Sequence, residues 1–532
     1  MRRIYLASIL LLFSTLTASA QTYHKIQWEK SLGGSKGDQS NDIQQTADGG
    51  YIMIGTTTSI DGDISGALGA SGTNIWVVKL NSKGAITWQE ILGGTDNDNA
   101  ASIRQTTDGG YVLAATSSST DGNVTGNHGG SDFWVAKLSN TGALQWQKSL
   151  GGTSEDYAAA IRQTKDNGYI VTGFTSSIDG DVTGNHGSYD YWVVKLDDTG
   201  AIKWQKALGG TNDDRATSIE QTLDTGYIIA GYTNSTDGDA TSYHGTPGTY
   251  SDYWVVKINK TGTLQWQKNY GGEDYDYAFS VKQTADGGYA VAGFASSNYG
   301  DVKTSYGDGD MWLLKLNDTG AISWQKTYGG SNTDYATSLQ QTFDGGYALS
   351  GYTASDDSDV THHFVGGTFG YDYWFLKLDD TGAISWQKNL GGTNDDLAYA
   401  MQQTADTGYI IAGYTLSADS NVTGYHGNSD CWVAKLHDTT IVRVSVPGIA
   451  SGQSAIKVYP TQTSGTVYID LPAGYEGAAL RLYNLSGQSV SFTEDKTGLK
   501  RTVHFENVPA GMYILQLINN NTINTFKILY QP

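Results

Sequence analysis

Cysteine and proline are scarce in this 532-residue chain, which contains one cysteine, six prolines and five methionines. A single cysteine, Cys431, cannot form an intrachain disulfide, so the fold must hold together without that cross-link. The chain also lacks a nucleophile elbow, a zinc-binding spacing of cysteine and histidine, and a glycine-rich phosphate loop. After residue 20 no apolar run is long enough to cross a bilayer, so no transmembrane segment is predicted.

Basic residues are also in short supply, with 33 lysines and arginines against 54 aspartates and glutamates and a net charge of −21. Residues 1–20 and 455–532 are weakly basic, which leaves a charge of −24 on the region between them. A surface this acidic repels phosphate backbones, so nucleic-acid binding is disfavoured. Binding of divalent cations is compatible with it.

Glycine and large aromatic residues are plentiful: the chain has 68 glycines, 35 tyrosines and 14 tryptophans. This composition is typical of many strands joined by turns, and it argues against a helical bundle. With 38% hydrophobic residues the chain can bury a substantial core, so it is not a disordered chain.

Residues 1–20, MRRIYLASILLLFSTLTASA, begin with two arginines, continue with an apolar run and end in small residues. This pattern predicts a secretory signal peptide that is cleaved after Ala20. The alternative, a transmembrane anchor, needs a longer apolar run than this one.

Two tryptophan-containing phrases recur seven times each and together use all fourteen tryptophans. The spacing between copies is 58 residues in the plainest units and 60 or 62 where a loop is longer. The "WQK" phrase contains Trp28, Trp88, Trp146, Trp204, Trp266, Trp324 and Trp386, and the "WVVKL" phrase contains Trp76, Trp134, Trp192, Trp254, Trp312, Trp374 and Trp432. The chain is therefore a repeat array of seven units.

Each unit is predicted to form four short strands, as in residues 217–222, 226–233, 253–258 and 263–270. Asp/Gly turns suited to antiparallel hairpins separate the first strand from the second and the third from the fourth. Four antiparallel strands per unit predict a propeller blade, and the period is too long for a parallel β-helix. The predicted fold class is all-β, a seven-bladed β-propeller followed by a small C-terminal β-sandwich.

The array opens with a lone fourth strand, residues 24–32, and ends with a third strand, residues 431–437. If a blade runs from first to fourth strand, the N-terminal strand completes the last blade and removes an exposed edge. The alternative is that each unit is a blade as written, with no strand exchange. In either arrangement the repeated tryptophans are expected to pack blade against blade, and a sugar-stacking platform is the alternative interpretation.

At these residues the repeat resembles a bacterial β-propeller repeat family. The family combines a "GG…DD" opening, a "GYxxxGxTxS" strand and a "D-aromatic-hydrophobic-x-KL…G" hairpin, which appear here at residues 208–214, 226–235 and 252–262. The resemblance covers about residues 22–440. It implies a propeller, assigned here to residues 21–446, and no defined activity.

The repeat stops before residues 447–454, which are predicted to be a linker. Residues 455–532 resemble the type A C-terminal sorting domain of the type IX secretion system, used by bacteria of the Bacteroidetes group. The phrases "YNLSGQ" and "PAGMYILQL" carry the resemblance, whereas "YPTQ" at 459–462 departs from the usual "YPNP". The resemblance implies that the secretion machinery is a partner and that the protein is secreted or displayed at the outer cell surface.

Aspartate is the polar residue that recurs most consistently, and the loop between the second and third strands carries Asp-x-Asp/Asn patterns with a glycine. Such a loop could offer oxygens to calcium, whereas the alternative is that the side chains hydrogen-bond their own turns. No copy has a full EF-hand pattern. The calcium candidates are Asp61, Asp63, Asp179, Asp181, Asp237 and Asp239.

Three other features are candidate metal, thiol or ligand sites. Histidines 128, 186, 244 and 426 recur in the same loop, but Leu68, Tyr306 and Phe364 replace them in other units, which favours loop packing over metal binding. Cys431 occupies a slot that is otherwise apolar or aromatic, so it is expected to fill core space. The divergent loops at 65–76, 243–254 and 362–374 are candidate ligand surfaces, or neutral length variation.

The sequence thus favours a secreted or surface-displayed binding protein for a glycan or a protein, with a role in adhesion. An extracellular hydrolase or lyase acting on polysaccharide is the first alternative, and a structural surface protein is the second. No residue is assigned a catalytic role, and calcium is the one cofactor considered.

Overall fold

A computed structural model describes residues 23–66, 72–244, 248–364, 370–439 and 456–530, the last range with short gaps. The predicted signal peptide (1–20) and linker (447–454) lie outside these residues. The chain divides into two compact units, one formed by Ile26–His437 and the other containing the C-terminal strands. Within the described ranges all regular structure is β, and no helix there is long and apolar enough to cross a membrane.

The larger unit is a seven-bladed β-propeller, and each blade is a four-stranded antiparallel sheet. In blade 7 the N-terminal strand, β1 (Tyr23–Leu32), lies beside β28 (Asp430–Thr439). The N-terminal strand therefore completes the last blade. Blades 1–3 consist of β2 Asp38–Gln45, β3 Tyr51–Thr57, β4 Asn74–Leu80, β5 Ile86–Leu92, β6 Asp98–Gln105, β7 Tyr111–Ser117, β8 Asp132–Leu138, β9 Leu144–Leu150, β10 Asp156–Gln163, β11 Tyr169–Thr175, β12 Asp190–Leu196 and β13 Ile202–Leu208. Blades 4–7 continue with β14 Asp214–Gln221, β15 Tyr227–Thr233, β16 Asp252–Ile258, β17 Leu264–Tyr270, β18 Asp276–Gln283, β19 Tyr289–Ala295, β20 Asp310–Leu316, β21 Ile322–Tyr328, β22 Asp334–Gln341, β23 Tyr347–Thr353, β24 Asp372–Leu378, β25 Ile384–Leu390, β26 Asp396–Gln403, β27 Tyr409–Thr415 and β28 Asp430–Thr439.

The first strand of each blade is longer than the sequence predicted. In blade 4 it starts at Asp214, three residues before the expected Thr217. A β-bulge between Ala216 and Ser218 interrupts the simple alternation of side chains in this strand. Such a bulge hides the period-two pattern from which strand starts are inferred.

Alternate side chains of the third strand serve two different blade interfaces. In β16, Trp254, Val256 and Ile258 pack towards blade 3, whereas Tyr253 and Val255 pack towards blade 5. Seven such clusters lie between neighbouring blades, including one between blades 7 and 1. Every blade therefore buries both of its faces against its neighbours, and the core of the ring is a series of interface clusters.

The two sets of tryptophans differ in burial. Those of the third strand are fully buried, and in blades 1–6 the indole N–H of each donates to a glutamine of the fourth strand, as from Trp192 Nε1 to Gln205 Oε1 at 2.8 Å. Those of the fourth strand are half-buried and pack on the next blade, as Trp204 does beneath the turn at Gly262. A Cβ at Gly262, where φ is +81°, would come within 3.0 Å of the Trp204 ring. Blade packing is therefore confirmed for both sets.

A buried lysine also repeats in every blade. Lys195 is 6% exposed and pairs with Asp166 of the turn between the first and second strands at 3.1 Å. The other six pairs are Lys79–Asp48, Lys137–Asp108, Lys257–Asp224, Lys315–Asp286, Lys377–Asp344 and Lys435–Asp406. Burial tends to raise the pKa of Asp48, but hydrogen bonds from Thr46, Lys79 and Gly50 N together with the charge of Lys79 outweigh it and lower the pKa to about 2.

The C-terminal unit is a β-sandwich of two four-stranded sheets around one apolar cluster, which includes Val467, Leu482 and Leu515. One sheet has the order β29-β31-β34-β33 and the other β30-β36-β35-β32. Their bounds are β29 Lys457–Tyr459, β30 Gln462–Thr463, β31 Thr466–Asp470, β32 Ala479–Asn484, β33 Thr493–Thr497, β34 Lys500–His504, β35 Gly511–Asn519 and β36 Thr522–Tyr530.

Candidate functional site

The candidate site lies at one end of the propeller and in its central channel. The loops between second and third strands, together with the connections from each fourth strand to the next first strand, meet at one end, which we call the loop face. The first strands of all seven blades line a channel of about 1270 Å³.

The aspartate that opens each first strand organises the loop face. Asp156 is fully buried and accepts hydrogen bonds from Gly152 N at 2.8 Å, from Ser177 Oγ at 2.9 Å and from Thr175 Oγ1. The equivalent residues are Asp38, Asp98, Asp214, Asp276, Asp334 and Asp396. Each carboxylate ties the entry of its blade to the end of the second strand, which explains its repetition.

A second buried carboxylate faces the first one at six blade junctions. A Cβ at Gly271 would lie 2.5 Å from Asp252 Oδ1 and 2.6 Å from Asp276 Oδ2, so the two carboxylates approach each other across this glycine. Burial, reinforced by the charge of Asp252, raises the pKa of Asp276 to about 8. At the junction of blades 1 and 2 an asparagine, Asn74, takes the place of the second carboxylate.

The calcium candidates divide into two rows. The first row caps loops: Asp61 Oδ1 accepts from Ser35 N at 2.7 Å, and Asp179 Oδ1 accepts from Thr153 N at 2.7 Å. Asp237 accepts from Thr211 N at 2.8 Å. These carboxylates are engaged with backbone and hydroxyl donors, as expected for residues that hold their own turns.

In the second row, Asp63 Oδ2 lies 3.2 Å from Gly33 N and Asp181 Oδ2 lies 3.4 Å from Gly151 N. Burial raises the pKa of Asp190 against the opposing hydrogen bonds from His186, and the negative charge of Asp239 adds to the increase. Among the described residues, no three histidine, cysteine, aspartate or glutamate side chains are grouped so that they could hold a metal ion. The hydrogen bonds therefore favour the structural interpretation for five of the six candidates, Asp61, Asp63, Asp179, Asp181 and Asp237.

Calcium gives a direct test of this interpretation. We expect the melting temperature of the chain to be the same in millimolar calcium and in excess chelator, because the loop carboxylates already have donors. Differential scanning calorimetry measures it, with magnesium as the control cation. A rise of several degrees with calcium alone would establish a calcium site in these loops.

Three of the four repeated histidines connect neighbouring blades. His128 Nδ1 lies 2.8 Å from Asp132 Oδ2, and its Nε2 lies 4.0 Å from Asp181 Oδ2 of the next blade. His244 and His426 form the same bridges to Asp301 and Asp63 at 3.7 and 3.9 Å. The histidines thus contribute to blade junctions at the loop face. Of the divergent loops, residues 67–71, 245–247 and 365–369 lie outside the described residues.

Aromatic side chains form a belt on the loop face of five blades, which we call the aromatic crescent. It uses the second position of the first strand, the sixth position of the second strand and the residue before the third strand. The first-strand members are Tyr157, Tyr277 and Tyr335, and the second-strand members are Phe174, Tyr232, Phe294, Tyr352 and Tyr414. The members that precede a third strand are Tyr189 and Tyr371.

The crescent rings contact one another across blades. Tyr335 stacks on Phe294 of the preceding blade with ring centroids 4.4 Å apart, and Tyr232 meets Tyr277 at 4.7 Å. Arg215 fills the first-strand slot in blade 4, with its guanidinium 4.6 Å from the Tyr189 ring centroid. Most of these rings are partly exposed, so the crescent presents part of its aromatic surface to solvent.

Blades 1 and 2 interrupt the crescent. At the same two strand positions they carry Gln39 and Thr56, and Asn99 and Thr116. These polar residues occupy the slots without disturbing the strand pairing. The aromatic residues of the other blades are therefore not demanded by the fold.

The channel below the crescent carries charge. Near the other end of the first strands, position seven is occupied by Arg104, Arg162, Glu220 and Lys282 in blades 2–5 and by glutamine in the other three. Arg104 pairs with Asp42, and Lys282 Nζ lies 3.5 Å from Glu220 Oε2. Burial and the neighbouring cations lower the pKa of both Arg162 and Lys282.

Sequence reasoning missed both the crescent and the channel charges. It looked for departures from the repeat only in the loops, whereas the informative departures are in first and second strands. An alignment of the seven units shows these departures at positions two and seven of the first strand and at position six of the second strand. Cys431, in contrast, is confirmed as core, because it is fully buried and packs at the junction of blades 7 and 1.

Comparison with known families explains the C-terminal unit. Residues 457–531 match the family described as a secretion system C-terminal sorting domain. The tail is a type IX sorting domain. Its presence implies interaction with the type IX secretion machinery and indicates export to the outer surface or the extracellular space.

No comparison assigns an activity to the propeller that precedes the sorting domain. Regulatory protein FlaEY of Caulobacter vibrioides is 25% identical over 390 residues, which are 65% of this chain and 39% of that protein. Two solved structures at 11% identity are Sqt1 from Chaetomium thermophilum, with a TM-score of 0.36 over 96% of this chain and 100% of that one, and puromycin hydrolase, with a TM-score of 0.41 over 72% and 51%. The chain thus spans about two-fifths of the relative's length.

Proposed function

We propose that this protein is a secreted or cell-surface glycan-binding protein of a Bacteroidetes bacterium, and that it serves in adhesion. The observation that carries the proposal is the aromatic crescent. Sugars bind proteins by stacking their apolar faces on aromatic rings while hydroxyl groups hydrogen-bond to neighbouring polar side chains. A partly exposed belt of tyrosines and phenylalanines at the loop face offers rings for stacking and hydroxyls for hydrogen bonds.

The placement of the rings supports binding over packing. Packing between blades is provided by the buried tryptophans and is complete in blades 1 and 2, where the crescent slots are polar. The rings therefore contribute something that the fold does not require in those positions. A contiguous, partly exposed aromatic surface of this kind is typical of recognition sites.

The alternative of a polysaccharide hydrolase or lyase gains no specific support. The paired carboxylates that could act as acid and base are fully buried and recur at the blade junctions. A catalytic pair must contact substrate, and such pairs are held inside the junctions instead.

Incubation of the purified chain with insoluble polysaccharides tests the proposal. Two quantities are measured in each tube, the loss of protein from solution and the appearance of new sugar ends. We expect depletion on at least one polysaccharide without new ends. New sugar ends would establish an enzyme, and absence of depletion from every polysaccharide would contradict glycan binding.

A further inference from the structure

The charged residues of the channel are departures from a structural rule. Where position seven of the first strand is glutamine, its side chain accepts a hydrogen bond from the backbone of the next blade. Gln44 Oε1 accepts from Gln105 N at 2.9 Å, and Gln340 Oε1 accepts from Gln403 N at 2.7 Å. Gln402 accepts in the same way from Gln45 N, which closes the ring.

Blades 2–5 replace this glutamine by Arg104, Arg162, Glu220 and Lys282 in succession. None of the four side chains accepts the corresponding backbone hydrogen bond among the described residues. Four consecutive blades thus forgo a junction contact that the fold uses elsewhere. The charges are therefore not explained by the construction of the ring.

The charges do not cancel. Arg104 pairs with Asp42 and Lys282 with Glu220, which leaves Arg162 between the two pairs. Arg162 donates to Ile161 O at 2.7 Å and reaches Ser102 Oγ at 3.4 Å, and no carboxylate of the described chain lies within ion-pair distance of it. A guanidinium has five N–H donors, and Arg162, which lines the channel, uses one nitrogen, Nη1, for both of these contacts.

The same channel connects Arg162 with aromatic side chains. Its lining includes Arg162 and Lys282 as well as Phe279, Tyr352 and Tyr399. Tyr352 belongs to the crescent, whereas Phe279 and Tyr399 are at position four of their first strands, about 10 Å along the strand from position seven. A volume of about 1270 Å³ accommodates a short oligosaccharide.

We propose that the channel binds the acidic end of a short oligosaccharide, with Arg162 pairing with the carboxylate of a terminal uronic acid while the following sugars lie against the aromatic side chains. This inference rests on the proposed glycan-binding function and specifies its ligand. Among the described residues Arg162 is a partly buried cation without a carboxylate partner, and the exposed Lys165, which also lines the channel, adds a second positive charge. A planar guanidinium matches a carboxylate in two parallel hydrogen bonds. The acidic exterior disfavours a long polyanion, because its charges would also meet the surface of the propeller.

Isothermal titration of the full chain tests the proposal with a matched pair of ligands. One is a trisaccharide that ends in glucuronic acid, and the other is the same trisaccharide with the carboxylate reduced to an alcohol. We expect the acid to bind at least about tenfold more tightly, and Arg162→Gln to abolish this preference while the melting temperature is maintained. Glutamine is the residue that three blades already carry at this position. The charge-matched control is Lys148→Gln, which removes an exposed lysine from the fourth strand of blade 2 and should leave the preference unchanged.

The outcomes separate this inference from the proposed function. Equal binding of the two trisaccharides, unaffected by Arg162→Gln, would overturn the channel assignment and leave glycan binding intact. Binding of neither trisaccharide nor any polysaccharide would contradict glycan binding itself. Inorganic sulfate or phosphate binding as tightly as the acidic trisaccharide would overturn the assignment to an acidic sugar.

Discussion

The melting temperature of the propeller is expected to fall by about 5–10 °C between about pH 5 and about pH 8. The cause is the set of buried carboxyl groups at the blade junctions, whose pKa values are raised by burial. The pKa is about 6 for Asp156, about 7 for Asp214 and Asp334, and about 8 for Asp276 and Asp372. The measurement is thermal unfolding by circular dichroism over a pH series.

The sign follows from proton binding. A carboxyl with a raised folded-state pKa keeps its proton in the folded protein at a pH where the unfolded chain has lost it. Its contribution to stability is complete below about pH 4 and is lost as the pH rises through the folded-state value. Each unit of pKa shift corresponds to about 1.4 kcal/mol of folding stability, so a few such groups are enough to cause the expected fall in melting temperature.

One substitution at a blade junction tests this effect. Asp310→Asn places asparagine where blade 1 already has Asn74, beside the buried Asp334. An amide can donate to the Asp334 carboxylate, so we expect this variant to be more stable than the parent by about 1–3 kcal/mol at pH 8 and little changed at pH 5. Asp318→Asn removes an exposed carboxylate from the same blade and should have no such effect. A melting temperature that rises or stays level from pH 5 to pH 8 would contradict the account.

Removal of the N-terminal strand is expected to cost about 5 kcal/mol or more, or to prevent folding. The strand β1 supplies the outer edge of blade 7. Leu32 is 5% exposed in the junction with blade 1, and Ile26 packs in the junction with blade 6. Glu29 Oε2 accepts from the indole of Trp432 at 3.0 Å, in place of the glutamine that serves this purpose elsewhere. A chain that begins at Ser35 loses all of these contacts and exposes the edge of β28.

Unfolding curves of the chain beginning at Ser35 and of the chain beginning at Gln21 provide the measurement. A synthetic peptide of residues 22–34 is the control, because adding it in trans should restore part of the lost melting temperature if the strand acts through its contacts. Equal melting temperatures for the two chains would show that blade 7 does not need this strand, contrary to the observed pairing.

Much of the fold was predictable because repetition multiplies weak signals. One strand pattern such as Tyr253–Ile258 is ambiguous, but seven copies in register with paired tryptophans are not. The strand exchange of blade 7 followed from the order of phrases, although the alternative without exchange could be excluded only by the pairing of β1 with β28. First-strand starts were misjudged because bulges break the alternation.

The candidate site was less predictable, because its residues come from five blades and converge only in the closed ring. Tyr157, Tyr277 and Tyr335 look like ordinary strand tyrosines in the sequence, and only their meeting with Phe174 and Phe294 across the sheet defines a surface. The channel residues likewise gain meaning from the position of Arg162 between two ion pairs. Repetition identifies what holds the fold together, whereas departures from it mark what the fold does not need.

The measurement that tests glycan binding at the crescent most directly compares two variants in the polysaccharide depletion assay. Tyr277→Asn combined with Tyr335→Gln introduces residues that blades 2 and 1 already carry in the same slots. Tyr306→His, which changes a tyrosine of a blade 5 loop outside the crescent to the residue of four other blades, is the control. We predict that the crescent variant loses at least about tenfold in affinity, while the control binds like the parent. Full binding by a folded crescent variant would contradict the account.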